Sequence, residues 1–378
     1  MTPSKATREQ LREHNRRLVL RMLYQGEVNT RAALATVTGL TKPTVSSLIG
    51  ELIDDGLVLE EGLGRSSGSG GKRPTLLAFN PRARHIVGVA VGSRNVSAVL
   101  SDLAGVTSAV HVVELNAAGA PAVLGAVEAV VAALLPQLDA PLLAVGVAIP
   151  GRVRPGDGSV RHSAALGLHD EPLAATLTKR LGVPVHVGNY AELCALGQYG
   201  YGLSEEHSPG TSATMTLDED LELGVVMHPS GAHFGSELAG PMIDELRLGW
   251  SVLKQRAAAL LADAPNSQLQ GVELRYLAIR RAAADGDEVA RALQTDLARA
   301  LATPLAWVTA VLQPSNVSLA GGVTDLGEGF LELLKHEAAR LLGAGVMDDV
   351  HLSMAYSHRL GAMGAVALAN LSELELVA

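Results

Sequence analysis

The stretch VPVHVGNYAELCALG, residues 183 to 197, has polar side chains where α/β proteins carry their chemistry. A β-branched run ends at a Gly-Asn corner, and an apolar-periodic helix follows. Ligands of open α/β folds lie beyond the carboxyl ends of strands, so Asn189 and Tyr190 are candidates for acid–base catalysis or ligand binding. Tyrosine, with an ordinary pKa of about 10, is a poor base at neutral pH. Asn189 is equally suited to cap the helix. The corner is therefore a reaction site, a binding site or the remnant of one.

Metal-binding residues are sparse in this sequence. Cys194 is the only cysteine, which excludes disulfide frameworks and a cysteine-rich zinc site within one chain. None of the 12 histidines has a partner at a spacing typical of metal ligands, so we expect His228 and His233 at the surface or in hydrogen bonds. Four carboxylates crowd one predicted hairpin, where a solvated turn is favoured over a cation site: Asp218, Glu219, Asp220 and Glu222. We predict no metal and no cofactor.

The N-terminal region predicts two helices that pack against a third. The first runs from about Thr7 to Tyr24. Its inner side is predicted to carry Leu11, Leu18, Met22 and Leu23. The second follows Asn29 or Thr30 as N-cap, with Leu34 and Val37 inward, and ends where Gly39 can adopt the positive φ of a tight turn. This pattern favours a small helical bundle.

The third predicted helix has one apolar and one polar face. Thr41 is its expected N-cap, with Pro43 in the first turn. The apolar stripe follows helical spacing: Val45, Leu48, Ile49, Leu52 and Ile53. The opposite face begins with small polar groups that can approach DNA closely: Thr41, Lys42, Thr44, Ser46 and Ser47. Such a helix is typical of major-groove recognition.

The segment LVLEEGLGRSSGSGGKRPTLLAF predicts the strand, loop and strand of a winged helix. Lys72 and Arg73 lie near the wing tip and are predicted to contact DNA there, while Arg31 is predicted to touch backbone phosphate. The alternative is a three-helix bundle with a glycine-rich linker that binds no DNA. Bundle, turn, polar helix start and basic wing together favour the DNA-binding interpretation.

Charge is divided unevenly along the 378 residues. Residues 1 to 85 carry 13 Lys and Arg against 8 Asp and Glu, or +5, and the remainder carries 17 against 31, or −14. A basic head on an acidic body is expected of a nucleic-acid-binding domain joined to a second unit. The N-terminus lacks a signal-peptide core, and no run approaches the ~20 apolar residues of a membrane span. We expect a cytoplasmic protein.

Several motifs resemble those of ROK family transcriptional repressors (repressor, open reading frame, kinase). They include TRAALATVTGLTKPTVSSLIGELIDDGLVLEEG, GGKRPTLLAFNPRARHIVGVAVG, LAVGVAIPG, GVPVHVGNYAELCALG, LQPSNVSLAGGV and LGAMGAVALA, in that order. The resemblance implies an α/β fold: an N-terminal winged helix-turn-helix followed by a two-lobed, actin-like ROK sugar-kinase fold. It suggests a DNA-binding domain at 1–80, a first lobe at 81–200 and a second lobe with dimerisation helices at 201–378. A sugar or sugar phosphate would bind the cleft and weaken operator binding.

The chain departs from the family's kinase motifs. Where kinases carry Asp-x-Gly-Gly-Thr, this sequence has Ala90-Val91-Gly92-Ser93-Arg94, and the kinase Asn-Asp corner is Asn189-Tyr190. Asn-Leu-Gly-Trp appears as 165–168, Ala-Leu-Gly-Leu. An ungapped alignment of Glu-x-Gly-His puts Leu238 and Pro241 at the Glu and His positions, and a one-residue shift puts Glu237 at the first. No cysteine cluster follows, so the family's structural zinc is not expected.

These departures predict a catalytically dead ROK domain, with Asn189 and Glu237 as candidate effector contacts. The leading hypothesis is a repressor of carbohydrate-related genes that binds a double-stranded operator as a homodimer or higher oligomer. One alternative is a regulator that is ligand-independent or controlled by a protein partner. Another is a sugar kinase with a DNA-binding head. In family kinases the glycine pair that corresponds to Gly321-Gly322 lets the backbone approach the nucleotide. Here the pair fits that role and close helix packing equally well.

Overall fold

The computed structural model describes residues 8–26, 28–64, 73–201, 210–217, 221–227, 232–238, 248–343, 345–355 and 359–376. Structural statements below concern these residues. The side chains of 236–238 are likewise outside the description.

The N-terminal domain is a winged helix. It contains α1 (Arg8–Tyr24), α2 (Arg31–Thr38), α3 (Lys42–Asp54) and an antiparallel hairpin of β1 (Val58–Leu63) with β2 (Thr75–Phe79). Thr30 and Thr41 cap α2 and α3 by accepting hydrogen bonds from backbone N–H groups, as predicted. The helices, caps and hairpin confirm the predicted architecture.

Two predicted core positions of this domain are wrong. Leu11 is 52% exposed because it lies near the start of α1, at the edge of the groove against α3. Val37 is 56% exposed because it lies in the last turn of the short helix α2, whose one buried residue is Leu34. On α1 the buried side chains are Val19, Leu20 and Leu23.

The first lobe is built on a five-stranded sheet in the order β10-β6-β3-β4-β5. Its strands are β3 (His85–Val91), β4 (Asn95–Asp102), β5 (Thr107–Glu114), β6 (Leu142–Ile149) and β10 (Val185–Asn189). Strands β3 to β5 are antiparallel, and β6 pairs in parallel with both β3 and β10. The three predicted β-rich runs are therefore confirmed.

Helices cover both faces of this sheet, which explains why β3 is buried along its whole length. Helices α4 (Ala120–Leu134) and α5 (Leu173–Leu181) lie on one face, and α11 (Leu360–Leu374) lies on the other. Gly146 permits close approach there, because a Cβ atom at this position would overlap the backbone oxygen of Ala365. Helix α6 (Tyr190–Tyr201) packs between α11 and the second sheet.

A short three-stranded sheet sits beside the first lobe. It consists of β7 (Arg152–Val153), β8 (Val160–Ser163) and β9 (Leu168–Glu171), all antiparallel.

The second sheet has the order β13-β12-β11-β14-β15. Its strands are β11 (Ser212–Leu217), β12 (Leu221–Met227), β13 (Ala232–Leu238), β14 (Asn316–Ala320) and β15 (His351–Met354). Among the described residues, this lobe also contains four helices: α7 (Trp250–Ala262), α8 (Tyr276–Ala284), α9 (Glu288–Leu312) and α10 (Glu328–Leu342). The predicted helical character of 243–313 is confirmed in α7 to α9; residues 243–247 lie outside the description.

The two ends of the chain share one hydrophobic core. Val19 and Leu20 of α1 belong to the same buried cluster as Leu374 and Leu376. Arg17 donates to Glu375 at 2.8 Å, and this bond together with one to Glu13 raises the pKa of the arginine. The N-terminal domain is thus packed onto the first lobe, and the C-terminal helix packs on that lobe's sheet. The division at residues 80 and 200 stays a prediction.

Residues 120–137, which include α4, form one segment long and apolar enough to cross a membrane by length and composition alone. The sequence interpretation missed a run of this kind. Val123, Val127, Val130 and Leu134 are buried in the core of the first lobe. This burial is typical of a core helix of a globular domain.

Candidate functional site

The start of α3 presents a polar surface to solvent. Lys42, Ser46 and Ser47 are exposed, whereas Thr44 is half-buried. The Thr41 hydroxyl accepts from the Thr44 N–H at 3.3 Å, and the two threonine hydroxyls lie 2.8 Å apart. Capping thus fixes the helix start that is predicted to enter the major groove. The structure brings these five residues together on one helix, while their contact with DNA stays a prediction.

Ion pairs brace this surface. Arg12 of α1 is paired with Glu51 and lies 3.4 Å from the Ser47 hydroxyl, which in turn donates to Glu51 at 3.3 Å. Arg31, predicted to touch phosphate, donates to Glu60 of β1 at 2.9 Å. A phosphate must therefore compete with a carboxylate for this guanidinium. The sequence did not predict these ion pairs, because each joins residues of two different helices or strands.

The predicted wing contacts are only partly described. Arg73 is exposed, two residues before the start of β2. Lys72 lies outside the described residues.

A cleft of about 690 Å³ separates the two lobes. The first lobe contributes the β3–β4 turn with Ser93 and Arg94. The second lobe contributes Thr216, Glu222 and the end of β14 at Gly321. The cleft lies at strand ends, as expected for a ligand site in an α/β fold.

Gly151 is held from both sides of this cleft. Its N–H donates to Glu222 Oε1 at 2.7 Å, and its carbonyl accepts from Asn189 Nδ2 at 2.7 Å. Its φ is +116°, and a Cβ atom here would overlap the carbonyl oxygen of His162. The second lobe supplies Glu222 and the first supplies Asn189. The Pro150–Gly151 corner is thus fixed at the cleft floor by hydrogen bonds from both lobes.

Asn189 is only 1% exposed, and both ends of its amide are used. Its Oδ1 accepts from the Glu192 N–H at 3.0 Å, so Asn189 caps α6, which was one of the alternatives raised by the sequence. Its predicted effector contact stays a prediction. In the described geometry Asn189 supports the cleft rather than lining it.

The expectation for Glu222 is wrong. It lies in β12, 5% exposed, instead of in a solvated turn, because the Gly151 N–H compensates the buried carboxylate. The other three carboxylates, 218–220, lie outside the described residues. Glu237 is directly opposite Glu222 in the β12–β13 register, with its side chain outside the description. The Leu221-Glu222-Leu223 alternation was the sequence signal for a strand at this position.

Three departures from kinase motifs border the cleft. Ala90 at the end of β3, Ala165 in the β8–β9 turn and Tyr190 at the start of α6 all line it. The Tyr190 ring packs on Gly361 of α11, whose added Cβ would lie 2.5 Å from Cε2. Gly321 and Gly322 both line the cleft. Their role in ligand approach or in close helix packing stays a prediction.

The second-lobe wall of the cleft is aromatic and charged. Trp250 and Tyr276 have ring centroids 4.7 Å apart, with Lys254 Nζ 5.7 Å from the Trp250 ring. Arg275 donates to Glu273 and lowers the pKa of that carboxyl, with smaller contributions from Arg94 and Lys254. Cations and carboxylates are therefore interleaved at the cleft mouth.

The family's structural zinc does not fit this chain. Cys194 is buried in α6 and is the one cysteine available. In the described part of the chain, no group of three or more His, Cys, Asp or Glu side chains is arranged to hold a metal ion.

A winged helix packed onto a two-lobed α/β fold with an interlobe cleft defines a DNA-binding protein on a sugar-kinase-like scaffold. The chain belongs to the ROK family, whose sequence pattern matches residues 86–227 and 255–371. A winged helix-turn-helix DNA-binding pattern matches residues 12–58. Both agree with the resemblance in the sequence motifs.

Named relatives are transcriptional regulators. The xylose repressor of Caldicellulosiruptor bescii is 26% identical over 362 residues, covering 86% of this chain and 87% of the relative. The DNA-binding transcriptional dual regulator NagC of Escherichia coli K12 is 21% identical over 346 residues, covering 86% and 84%.

Solved structures share the fold. A ROK family transcriptional regulator described as a homolog of the E. coli MLC protein has a TM-score of 0.79 at 20% identity, covering 97% of each chain. A ROK family glucokinase from Streptomyces griseus, in complex with glucose and AMPPNP, has a TM-score of 0.64 at 22% identity, covering 75% of this chain and 98% of that one.

Proposed function

We propose that this protein is a sugar-responsive transcriptional repressor whose ROK domain binds an effector without transferring phosphate. One observation carries the proposal: the capped, solvent-facing start of α3 belongs to a domain that shares a hydrophobic core with the lobe bordering the cleft. The relatives named xylose repressor and NagC support the same assignment. A cytoplasmic location follows, because that is where a bacterial operator lies.

The test is an electrophoretic mobility shift of the full chain on DNA upstream of its own gene and of neighbouring carbohydrate genes. We expect a retarded complex that one sugar or sugar phosphate dissociates. Binding that tracks DNA length but not sequence would refute an operator-specific regulator.

DNA contacts are assigned to the exposed start of α3 and to the wing. Lys42 and Ser46 are proposed to face base edges and phosphates, with Thr41, Thr44 and Ser47 alongside. Lys72 and Arg73 are assigned to the wing, and Arg31 to backbone phosphate after it leaves Glu60. Lys72→Ala with Arg73→Ala should weaken binding and flatten its salt dependence. An unchanged salt slope would remove the wing from the contacts.

The effector is proposed to bind the interlobe cleft as a polyol. Glu222 and Thr216 supply oxygen acceptors on the second lobe. Asn189 and Glu237 are proposed as further effector contacts, as the sequence motifs predict. Glu222→Gln keeps the side-chain shape and an oxygen acceptor for Gly151. We expect it to reduce effector release of DNA while leaving DNA affinity unchanged. Equal effector response in the wild type and the variant would remove Glu222 from the site.

Phosphoryl transfer is assigned no role. Ala90 replaces the carboxylate that would help hold the metal of a nucleotide, and Tyr190 replaces the general base on the sugar hydroxyl. Glu222 adds a carboxylate to the segment that contacts phosphate in family kinases, where it would repel ATP. No ATP consumption above buffer is expected with any sugar that shifts the melting temperature. Turnover that is lost in Tyr190→Phe would instead establish the kinase alternative.

A homodimer is proposed, with α9 in its interface. Trp307 and Val311 lie one helical turn apart on α9 and are 69% and 68% exposed, an unusual exposure for such side chains. Trp307→Glu should shift the molar mass by light scattering from dimer toward monomer. Val106→Glu, at a 65% exposed valine of the first lobe, is the matched control. A dimer unaffected by Trp307→Glu places the interface elsewhere.

The second candidate is a regulator that needs no ligand or answers to a protein partner. Asn189 favours this second candidate, because its amide nitrogen and its amide oxygen are both engaged in hydrogen bonds within the protein. Melting temperatures of the full chain with sugars, sugar phosphates and nucleotides separate the two: a ligand at 100 times its Kd stabilises a fold by about 2.7 kcal/mol. A flat panel favours this second candidate.

A further inference from the structure

Two histidines face each other across the β8–β9 hairpin. His162 and His169 are directly opposite in the register, and their Nδ1 atoms lie 3.3 Å apart. The ring centroids are 4.8 Å apart with the planes tilted by 49°. His169 is exposed and His162 is half-buried, so solvent reaches the pair. The sequence interpretation found no paired histidines because strand pairing, rather than spacing alone, brings these two together.

The distance matches that between two ligands of one metal ion. Imidazole nitrogens bind Zn²⁺ at about 2.0–2.1 Å, and a tetrahedral angle between two such bonds separates the nitrogens by about 3.3 Å. Two neutral Nδ1 lone pairs facing each other repel unless a proton or a cation lies between them. Imidazole is a ligand preferred by Zn²⁺, Cu²⁺ and Ni²⁺ rather than by Mg²⁺ or Ca²⁺.

We propose that His162 and His169 form a binding site for a late first-row divalent cation, either Zn²⁺ or Cu²⁺. The two imidazoles are its protein ligands, and water completes the coordination. The hairpin fixes both imidazoles before the cation arrives, so the second bond forms at high effective concentration. The neighbouring Arg161 is paired with Asp170 at 2.6 Å, which offsets its repulsion of a cation. The site is separate from the predicted effector contacts and independent of the proposed function.

The hairpin also connects this pair to the cleft. The β8–β9 turn carries Ala165, which lines the cleft, and is closed by the Gly167 N–H donating to the Ala164 carbonyl at 3.3 Å. A cation bridging His162 and His169 would tie the two strands together below this turn.

Isothermal titration of the metal-free full chain with ZnCl₂, and separately with CuCl₂, tests the site. We expect one cation per chain at this site, with affinity reduced at least about tenfold in His162→Ala and in His169→Ala, because either change removes the chelate. The double variant, which has lost both imidazoles, should bind the cation no more tightly than either single variant. MgCl₂ should give no heat of binding.

His111→Ala is the matched control, because His111 is exposed on β5 and its cross-strand neighbour is Ala98. It should bind Zn²⁺ as the wild type does. His169→Gln, which retains polarity, separates lost ligation from any loss of folding, and circular dichroism in chelator should be the same for all variants. Failure of the wild type to bind Zn²⁺ and Cu²⁺, or equal affinity in the wild type and the double variant, would overturn the proposal.

Discussion

Replacing Asn189 by alanine tests whether this residue is a structural support of the cleft. The change removes the cap of α6, which contributes about 1 kcal/mol in typical helices. It also leaves the buried Gly151 carbonyl without its 2.7 Å donor, at a cost of about 1–3 kcal/mol. We therefore expect Asn189→Ala to lower the free energy of unfolding by about 2–4 kcal/mol in the absence of any effector.

Two further variants separate the contributions. Asn189→Ser retains a good capping oxygen but cannot reach the Gly151 carbonyl, so it should lose the second contribution alone. Asn116→Ala, at an exposed loop position after β5, is the control and should change stability by less than about 0.5 kcal/mol. Urea unfolding monitored by far-UV circular dichroism gives all three values. If Asn189→Ala changes the free energy of unfolding no more than the control does, the two hydrogen bonds do not hold the corner.

Three other perturbations probe separate parts of the chain. Lys42→Ala should reduce the slope of log Kd against log salt for operator DNA by about 0.9, while Lys179→Ala, exposed on α5, should leave it unchanged. Gly146→Ala should destabilise by about 1–3 kcal/mol because its Cβ would overlap Ala365, whereas Gly125→Ala has open space and should not, as thermal unfolding will report. Burial raises the pKa of Asp287, but hydrogen bonds from N–H groups of the α9 start and of Gln268 lower it. The lowering outweighs the effect of burial, so the pKa of this carboxyl lies below its ordinary value. Its stabilisation is complete above about pH 3.9 and is lost as pH falls through the folded pKa; Asp287→Asn should flatten this acid dependence of unfolding.

Local signals predicted much of the fold. Thr41 before Pro43 identified the start of α3, and three β-rich runs separated by turn residues predicted β3, β4 and β5 of the first lobe. Errors arose where burial depends on a distant neighbour. Val37 fits the helical period, yet it is exposed because it lies in the last turn of the short helix α2. Periodicity identifies a face of a helix, but it does not tell how far the covering elements extend.

The cleft was less predictable because its polar contacts join residues far apart in the chain. Glu222 and Gly151 are 71 positions apart, and charge density around 218–222 favoured a turn. Arg31 has the residue type that binds phosphate, but the β1 strand places Glu60 beside it. Residue types indicated which groups are polar, while their partners are determined by strand register and lobe packing.

The hydrogen bonds of Gly151 give the departures from kinase motifs a structural consequence. In this chain a carboxylate from the second lobe and an amide from the α6 start both hydrogen-bond the backbone of one residue, Gly151. A buried carboxylate requires such a donor, and the positive φ of Gly151 presents its N–H to Glu222. The sequence change that brings a carboxylate into the segment used for phosphate in family kinases therefore also supplies a bond between the lobes. The proposed absence of catalysis and the retention of a two-lobed fold are thus compatible, because the same side chain that is proposed to repel ATP accepts a hydrogen bond across the cleft.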